Sequence, residues 1–494
     1  MYIDSVTISN LRCFEHQTVP FVNPGARPTG PLNNVTLLLG NNGVGKTTVL
    51  RAISLATLNQ ALTQAGYVPY SMIRRSPGVR VGQAEVLAEI RLHAQDLEGR
   101  LTPSDLATAT SSFVAIVPRG DTEQIFSGDF LFGASIAGLL LKKRFERQLF
   151  NDRSPGILVL GYGATRRVDP ASEFSPGRRR KQRLLRYERV SSLFEEQVSL
   201  APLAGWLPEL QREKPTLFGR VCELLGQLIP SDTRFTGKLD GDEYLFERGG
   251  IEVGFAALSD GYRGYIGLLS DLFYHLCTGL KDEDEPTLSR GIVLIDEIGL
   301  HLHPAWQRVV VPTLARTLPR LQFVLTTHSP IIAGTAYADN IRLLEADEQG
   351  RSHLEPLDAE IHGLNADQIL LTDAFGLSSS RAPDFAKRLG ELERELDADN
   401  WQDALRLMRM LNHGSAGDRA PEPAEPPAWA YKAARELAER LGAKEEDLDV
   451  PARKSAKKPV AKKTTAKKTT KAPAKPLAAK RMAGKKPSNK KSRP

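Results

Sequence analysis

The chain has 494 residues, of which 41% are hydrophobic, with three cysteines and a formal net charge of +7. No apolar run reaches the roughly 18 to 20 residues that cross a bilayer, and the first residues lack the basic and apolar regions of a signal peptide. The sequence therefore predicts a cytoplasmic protein with no membrane partner. The cysteines are far apart and show no Cys-x-x-Cys spacing, which argues against a disulfide framework and against a zinc site.

The positive charge is concentrated at one end of the chain. Residues 451–494 hold 17 of the 66 Lys and Arg and no Asp or Glu, so residues 1–450 carry 49 basic against 59 acidic groups. This Lys-, Ala-, Pro- and Thr-rich segment cannot bury enough apolar surface to fold, and we expect a disordered tail. Such a tail attracts polyanions by counterion release, which predicts non-specific DNA binding. A solubilising tether without a specific partner is the alternative.

Six segments are expected to form strands. Alternating apolar and polar residues predict a strand over 2–14, and "NNVTLLLG" predicts a second, which runs into a glycine-rich turn and the helical pattern "KTTVLRAISLATL". "SFVAIVP" and "GILVLGYG" follow. The last two, "GIVLIDE" and "LQFVLTT", are apolar nearly throughout, as parallel strands covered on both faces are. The pattern predicts an α/β fold with a mixed or parallel sheet.

Four regions are predicted along the chain. Residues 1–95 and 234–346 would form a nucleotide-binding head, and 96–233, where the periodicity is weaker, an inserted and mainly helical subdomain. Residues 347–450 contain two amphipathic segments and would form a C-terminal helical region, followed by the tail at 451–494. The basic cluster "RRRKQRLLR" at 178–186 is compatible with a nucleic-acid surface or with a solvated helix face.

The stretch "GNNGVGKTT" satisfies the pattern G-x-x-x-x-G-K-[ST] and lies between a predicted strand and a predicted helix, as a phosphate-binding loop requires. Its glycines let backbone N–H groups approach phosphates, and the helix N-terminus adds a favourable dipole. Lys46 would reach the β and γ phosphates of ATP, and the Thr47 hydroxyl would bind Mg²⁺. The predicted ATP-binding residues of this loop are Gly40, Asn41, Asn42, Gly43, Val44, Gly45, Lys46, Thr47 and Thr48.

Two later strands end in polar residues that suit the same chemistry. After "GIVLI" come Asp296, predicted to bind Mg²⁺, and Glu297, predicted to polarise the attacking water. Carboxylates at the end of a strand buried on both faces indicate a bound cation, because an uncompensated buried charge is costly. A strand that terminates at the surface is the alternative. His328 follows the next strand and is predicted to sense the γ-phosphate; a structural histidine is the alternative.

The stretch "LSDGYRG", Leu258 to Gly264, opens a helical pattern about thirty residues before the acidic pair. With the order of glycine-rich loop, "LSDGYRG", acidic pair and histidine, residues 1–346 resemble the ABC ATPase superfamily. The resemblance implies an ABC-type head that dimerises around ATP, in which Ser259 and Gly261 contact the partner's γ-phosphate. Ser259 offers a hydroxyl, and Gly261 permits close backbone approach at the positive end of the helix. An ordinary Ser N-cap is the alternative, and Asp260 departs from the glycine of the common signature.

The beginning, "IDSVTISNLRCF", is similar to the first strand of SMC, RecF and OLD-like heads, which implies that Arg12 approaches the nucleotide phosphates. "LSDGYR", "GYGATRR" and "EIGLHLHP" resemble compact AAA family ATPases of bacterial defence, the PtuA-like family of Septu and retron-associated ATPases among them. The resemblance implies a homodimer or larger homo-oligomer that works with a separate nuclease or other effector in anti-phage defence or DNA maintenance. The residues after the histidine strand show no nuclease-like cluster.

Two other functions remain open at this point. One is a nucleotide-controlled scaffold that hydrolyses ATP slowly and holds a toxic partner inactive, against which the intact Glu297 counts. The other is the energy subunit of a membrane transporter, against which the basic tail and the lack of an assignable glutamine loop count.

Overall fold

The computed structural model describes residues 1–25, 30–75, 82–97, 110–131, 136–168, 174, 184–230, 232–357, 360–395 and 406–411. Its strands are β1 (Tyr2–Leu11), β2 (Phe14–Pro20), β3 (Val35–Leu39), β4 (Ala84–Arg91), β5 (Thr110–Arg119), β6 (Thr122–Leu131), β7 (Val159–Tyr162), β8 (Arg167–Val168), β9 (Ser199–Leu200), β10 (Arg234–Asp240), β11 (Glu243–Arg248), β12 (Ile251–Gly254), β13 (Gly291–Ile295), β14 (Leu321–Thr326), β15 (Ile341–Ala346) and β16 (Ser352–Glu355).

The helices are α1 (Lys46–Gln64), α2 (Ile136–Leu149), α3 (Leu185–Glu188), α4 (Leu203–Glu213), α5 (Pro215–Leu228), α6 (Asp260–Cys277), α7 (Pro304–Gln307), α8 (Val310–Thr317), α9 (Pro330–Ala333), α10 (Ala366–Leu370) and α11 (Pro383–Glu395). In the part of the chain that the structure describes, no helix is long and apolar enough to cross a bilayer.

A six-stranded sheet in the order β16-β15-β3-β14-β13-β7 forms the centre of the fold. Its strands pair in parallel except for the antiparallel edge strand β16. Every residue of β3, β13 and β14 is buried, as the continuous apolar runs predicted. Alternate side chains supply two cores: Val293 and Ile295 pack on one face with α4, α5 and α6, whereas Ile292 and Leu294 pack on the other with α1 and β1.

A second, antiparallel sheet in the order β2-β1-β4-β5-β6 shares the core that holds α1. The two sheets are joined by Gln322, a fully buried residue of β14. Its Oε1 accepts from the Ile3 N–H at 2.8 Å, and its Nε2 donates to the carbonyls of Ile3 and Val22 at 2.7 and 2.9 Å. The start of β1 is thereby fixed beside the amino end of β14.

The interval 96–233 differs from the mainly helical insertion that the sequence predicted. Strands β5 and β6 join the antiparallel sheet and β7 forms an edge of the central sheet, while α4 and α5 pack beneath α6. Strands β5 and β7 coincide with the predicted segments "SFVAIVP" and "GILVLGYG"; the difference is that these strands belong to the two main sheets and not to a separate insertion. Short strands also form a three-stranded sheet, β10-β11-β12, and the pair β8-β9.

The basic cluster at 178–186 lies mostly outside the described residues, but its last member has a clear position. Arg186 is buried, and its guanidinium donates to the carbonyls of Leu149 and Ile157 at 3.3 and 2.9 Å, and to that of Gln148 at 3.2 Å. Two of these carbonyls end α2, where a cation is favourable. Arg186 is therefore a helix cap rather than a residue of a solvated face or a nucleic-acid surface.

The chain divides into two units, at Met1–Pro383 and Asp384–Pro494. The first unit extends beyond the predicted head boundary at residue 346, because β16 pairs with β15 and α10 packs on α9. In the second unit the structure describes most of α11 and a helical segment at 406–411. The second predicted amphipathic segment and the basic tail at 451–494 lie outside the described residues.

Candidate functional site

The loop between β3 and α1 has the backbone that its glycines predict. Gly40 and Gly45 have φ values of +136° and +94°, which favour glycine. A Cβ on Gly45 would lie 2.4 Å from Cys13 Sγ and 2.6 Å from Phe14 Cε2. The β1–β2 turn therefore leaves no room for a side chain at position 45. Helix α1 begins at Lys46, immediately after the loop. The geometry is that of a phosphate cradle at a helix N-terminus.

Lys46 extends across this loop. Its Nζ donates to the carbonyls of Gly40 and Asn41 at 2.8 and 3.0 Å, and lies 2.8 Å from Nε2 of His328. Burial lowers the pKa of Lys46, and the nearby Glu297 carboxylate opposes that shift. The ammonium is thus held over the loop by groups that phosphate oxygens can replace.

The carboxyl end of β13 meets the start of α1. Thr47 Oγ1 donates to Asp296 Oδ2 at 2.7 Å, and Thr326 Oγ1 donates to Asp296 Oδ1 at 2.7 Å. Asp296 is 6% exposed. One hydroxyl and one nearly buried carboxylate thus converge beside the phosphate-binding loop, with a third group from β14 orienting the carboxylate.

Glu297 turns out of the strand with a left-handed backbone, φ +49°. Its N–H donates to Thr326 Oγ1 at 2.8 Å, and its Oε2 accepts from the His328 N–H at 3.2 Å. The Oε1 atom lies 3.3 Å from His328 Nε2. The Lys46 ammonium can only donate, so the 2.8 Å contact makes His328 Nε2 a hydrogen-bond acceptor. A nitrogen that accepts has no proton to donate, so Nε2 and Glu297 Oε1 are in contact without a hydrogen bond between them.

Ser259 and Gly261 lie away from the phosphate-binding loop. Ser259 is the N-cap residue of α6 with an extended backbone, and its side chain makes no cap hydrogen bond. A Cβ on Gly261 would lie 2.2 Å from the carbonyl oxygen of His301. Beside them is a cavity of about 670 Å³, whose lining includes Asp260, Arg263 and His301 and no residue of the loop at 40–48. This chain therefore does not bring the signature residues onto its own P-loop.

Arg12 occupies the β1–β2 turn, next to Cys13, which packs on Gly45. Its backbone is left-handed, φ +51°, and its N–H donates to the Met72 carbonyl at 2.8 Å. Burial lowers the pKa of Arg51 on α1, and the like charge of Arg12 lowers it further. The Arg12 side chain is thus close to α1, although no hydrogen bond joins it to the residues at 40–48.

Sequence reasoning missed Arg166 and Thr326. Arg166, in the loop after β7, donates through Nη2 to the carbonyls of Asp296 and Glu297 at 2.5 and 2.7 Å. Thr326 bonds both acidic residues through its hydroxyl. The available signal was position: each residue lies at or just after the carboxyl end of a predicted strand that could flank "GIVLIDE".

The residues fit ATP and Mg²⁺. The glycine loop offers N–H groups, and Lys46 offers an ammonium. Thr47 and Asp296 together match the one or two protein oxygens that Mg²⁺ takes when phosphates and water complete its shell. Among the described residues there is no group of three or more His, Cys, Asp or Glu that could hold a metal by itself. When bound, Mg²⁺ would neutralise charge on the β and γ phosphates.

Two family models match the chain. One, described as "AAA domain, putative AbiEii toxin, Type IV TA system", matches residues 35–333, and one described as "AAA ATPase domain" matches residues 1–68. The first includes the P-loop, the acidic pair and His328. The sequence-based resemblance to AAA ATPases is confirmed.

The curated relatives include a Septu protein and a retron ATPase. The chain is 26% identical to the Septu protein PtuA of Bacillus mycoides (strain KBAB4) over 384 residues, 76% of this chain and 45% of that protein. It is 40% identical to the retron Vc95 probable ATPase of Vibrio cholerae serotype O1 biovar El Tor over 97 residues, 20% of this chain and 19% of that protein. The chain thus spans less than half the length of these relatives. Among solved structures, an SMC head bound to the C-winged helix domain of ScpA aligns with 72% of this chain and 97% of that chain, at 16% identity and a TM-score of 0.43.

Proposed function

We propose, from the premise that this chain belongs to the AAA-domain family described as a putative AbiEii toxin of a type IV toxin–antitoxin system, that it binds ATP with Mg²⁺ and hydrolyses the β–γ phosphoanhydride. One observation carries the proposal. Residues from three distant parts of the sequence, Lys46, the pair Asp296–Glu297 and His328, meet in one set of polar contacts at the carboxyl ends of β3, β13 and β14. In open α/β sheets, ligands bind at that edge.

Each residue has a role that its position supports. Lys46 contacts the β and γ phosphates, while Thr47 and Asp296 hold Mg²⁺. Glu297, with an oxygen held by the His328 N–H, orients and deprotonates the attacking water. His328, whose Nε2 lies 2.8 Å from Lys46 Nζ, would contact the γ-phosphate. Arg12 approaches the phosphates from the β1–β2 turn.

The active assembly that we propose is a head-to-tail homodimer. Support comes from the residue between Ser259 and Gly261: Asp260 lines a cavity whose lining includes no residue of the loop at 40–48. The uncapped Ser259 hydroxyl and the N-terminal end of α6 suit an anion supplied by a second copy. ATP would then close the dimer, and hydrolysis would reopen it.

The coupled process that we propose is anti-phage defence, with a separate nuclease or other effector protein and with DNA. The Septu and retron names of the relatives support this process. The basic tail supports attraction of DNA.

The test compares wild type, Glu297→Gln and Lys46→Ala for ATP turnover, ATP binding and oligomeric mass. Glu297→Gln should lose turnover by about 10²-fold or more, because the base is removed, yet accumulate an ATP-dependent dimer. Lys46→Ala should lose ATP binding and the dimer. The exposed Glu348→Gln is the matched control and should behave as wild type. Unchanged turnover in Glu297→Gln would contradict its role, and a mass that never responds to ATP would contradict the dimer.

A further inference from the structure

We propose that Arg166 is a positioning residue for Glu297: it fixes the turn that aims the carboxylate at the reacting water. This inference rests on the proposed ATPase function and adds a residue from the loop after β7, a strand that carries no part of the P-loop, acidic pair or histidine. Arg166 follows β7, the edge strand that pairs in parallel with β13.

Arg166 contacts the main chain of the acidic pair, Asp296 and Glu297. The ladder between β7 and β13 ends at Tyr162 and Ile295, and the Asp296 N–H still donates to the Tyr162 carbonyl at 2.7 Å. After that residue the hydrogen bonds to the chain just after β13 come from Arg166, whose Nη2 donates to the carbonyls of Asp296 and Glu297. The guanidinium thus continues, from a side chain, the hydrogen bonding that the strand can no longer supply.

The turn needs such support because Glu297 leaves the strand with a left-handed backbone. A non-glycine residue keeps that conformation only when its surroundings hold it. On the β14 side, Thr326 holds the Glu297 N–H, and the His328 N–H holds the carboxylate. On the β7 side, Arg166 holds the two carbonyls. The direction of the Glu297 carboxylate follows from this backbone turn. Loss of the Arg166 hydrogen bonds should therefore let the carboxylate move away from its position.

The charge of Arg166 acts in the same place. Burial lowers the pKa of Arg166 to about 10, while the nearby Asp296 and Glu297 oppose that shift. The guanidinium therefore stays protonated at neutral pH and lies beside two carboxylates. A lysine could keep this charge but could not reproduce the planar fork that reaches two adjacent carbonyls.

The experiment uses the full chain and compares Arg166→Met, Arg166→Lys and, as the matched control, Arg212→Met at an exposed position on α4. Arg166→Met should lower kcat by about 10- to 100-fold, because small misplacements of a catalytic group cost that much. Its affinity for a fluorescent ATP analogue and its KM should stay within about 2-fold, since Arg166 does not touch the loop at 40–48. Arg166→Lys should recover part of the lost kcat, and Arg212→Met should match wild type.

A purely structural role would lower the melting temperature and the active fraction without this separation of kcat from KM. If Arg166→Met does not fold, Arg166→Lys decides: a kcat reduced with unchanged nucleotide affinity supports the inference, and a wild-type kcat overturns it. A loss of ATP affinity equal to the loss of kcat/KM also overturns it. Lys46→Ala and Glu297→Gln keep the two proposals apart. If they behave as expected while Arg166→Met and Arg166→Lys keep wild-type kcat, only the positioning role fails; if they too retain wild-type binding and turnover, the ATPase site itself is wrong.

Discussion

Glu297, His301 and Arg12 all have left-handed backbones although none is glycine. Each such residue costs about 1–2 kcal/mol relative to the right-handed or extended regions. All three lie in turns next to the P-loop or the signature helix, and hydrogen bonds from other segments hold Arg12 and Glu297 there. At Arg12 and Glu297 the strained backbone is therefore held where the chain leaves β1 and β13.

Two glycines of the P-loop should respond differently to the same substitution. Gly43 and Gly45 both have positive φ, but a Cβ on Gly43 would meet nothing within 4 Å, whereas one on Gly45 would overlap Cys13 and Phe14. We expect Gly45→Ala to lower the free energy of unfolding by about 2–4 kcal/mol, from backbone strain plus overpacking. Gly43→Ala should cost about 1 kcal/mol, from strain alone. Urea denaturation measures both, and equal losses would contradict the close packing of the β1–β2 turn on the loop.

At the scale of elements, the site depends on two sheets that share an apolar core and are also joined by a buried polar side chain. Gln322 joins β14 to β1 and to the segment after β2. Because β1 leads into the turn that packs on Gly45, this buried amide sets how the antiparallel sheet meets the P-loop. Its partners are main-chain groups of the buried Ile3 and the half-buried Val22, and buried main-chain groups are costly to leave unpaired.

Replacing this amide should test the junction. Gln322→Leu keeps a similar volume but leaves the N–H and carbonyl of Ile3 without their partners, so the free energy of unfolding should fall by about 3 kcal/mol. Gln124→Leu, at an exposed position on β6, is the control and should change stability by about 0.5 kcal/mol or less. Chemical denaturation followed by circular dichroism gives both values. A loss no greater than that of the control would show that the junction does not depend on Gln322.

At the scale of the whole molecule, charge is separated along the chain. Residues 451–494 carry 17 basic and no acidic groups, while residues 1–450 have an acidic excess. A polyanion should therefore be attracted chiefly by the tail, without sequence preference, since the segment has no aromatic residue to stack on bases.

Binding of the full chain to duplex DNA should fall by about 10³-fold or more between 50 and 200 mM salt, if the tail contacts six or more phosphates. A variant with every Lys and Arg of 451–494 replaced by Gln should lose this binding. A variant with the same 44 residues in shuffled order should keep it, because only charge is read. Fluorescence anisotropy with labelled duplex measures all three. If the Gln variant binds like wild type, the DNA contact belongs to residues 1–450.

The sequence by itself determined those features that a continuous segment specifies. The P-loop was predictable because phosphate binding needs glycines, Lys46 and Thr47 at fixed spacing next to a helix start. The cores of β3, β13 and β14 were predictable because strands covered on both faces must be apolar throughout. His328 and the acidic pair could be expected together because parallel strands end at one edge.

The tertiary structure alone decided which distant segments complete the site. Local residues give no sign that Arg166 reaches two carbonyls 130 and 131 positions away, or that Arg186 caps α2 instead of facing solvent. Likewise, "SFVAIVP" and "GILVLGYG" predicted strands within 96–233, but only the packed structure shows that β5 joins the antiparallel sheet and that β7 pairs with the distant β13, and the interval was predicted as a mainly helical insertion. The physical reason is common to all three: hydrogen bonding and burial between distant segments depend on the packed arrangement, which local pattern does not encode.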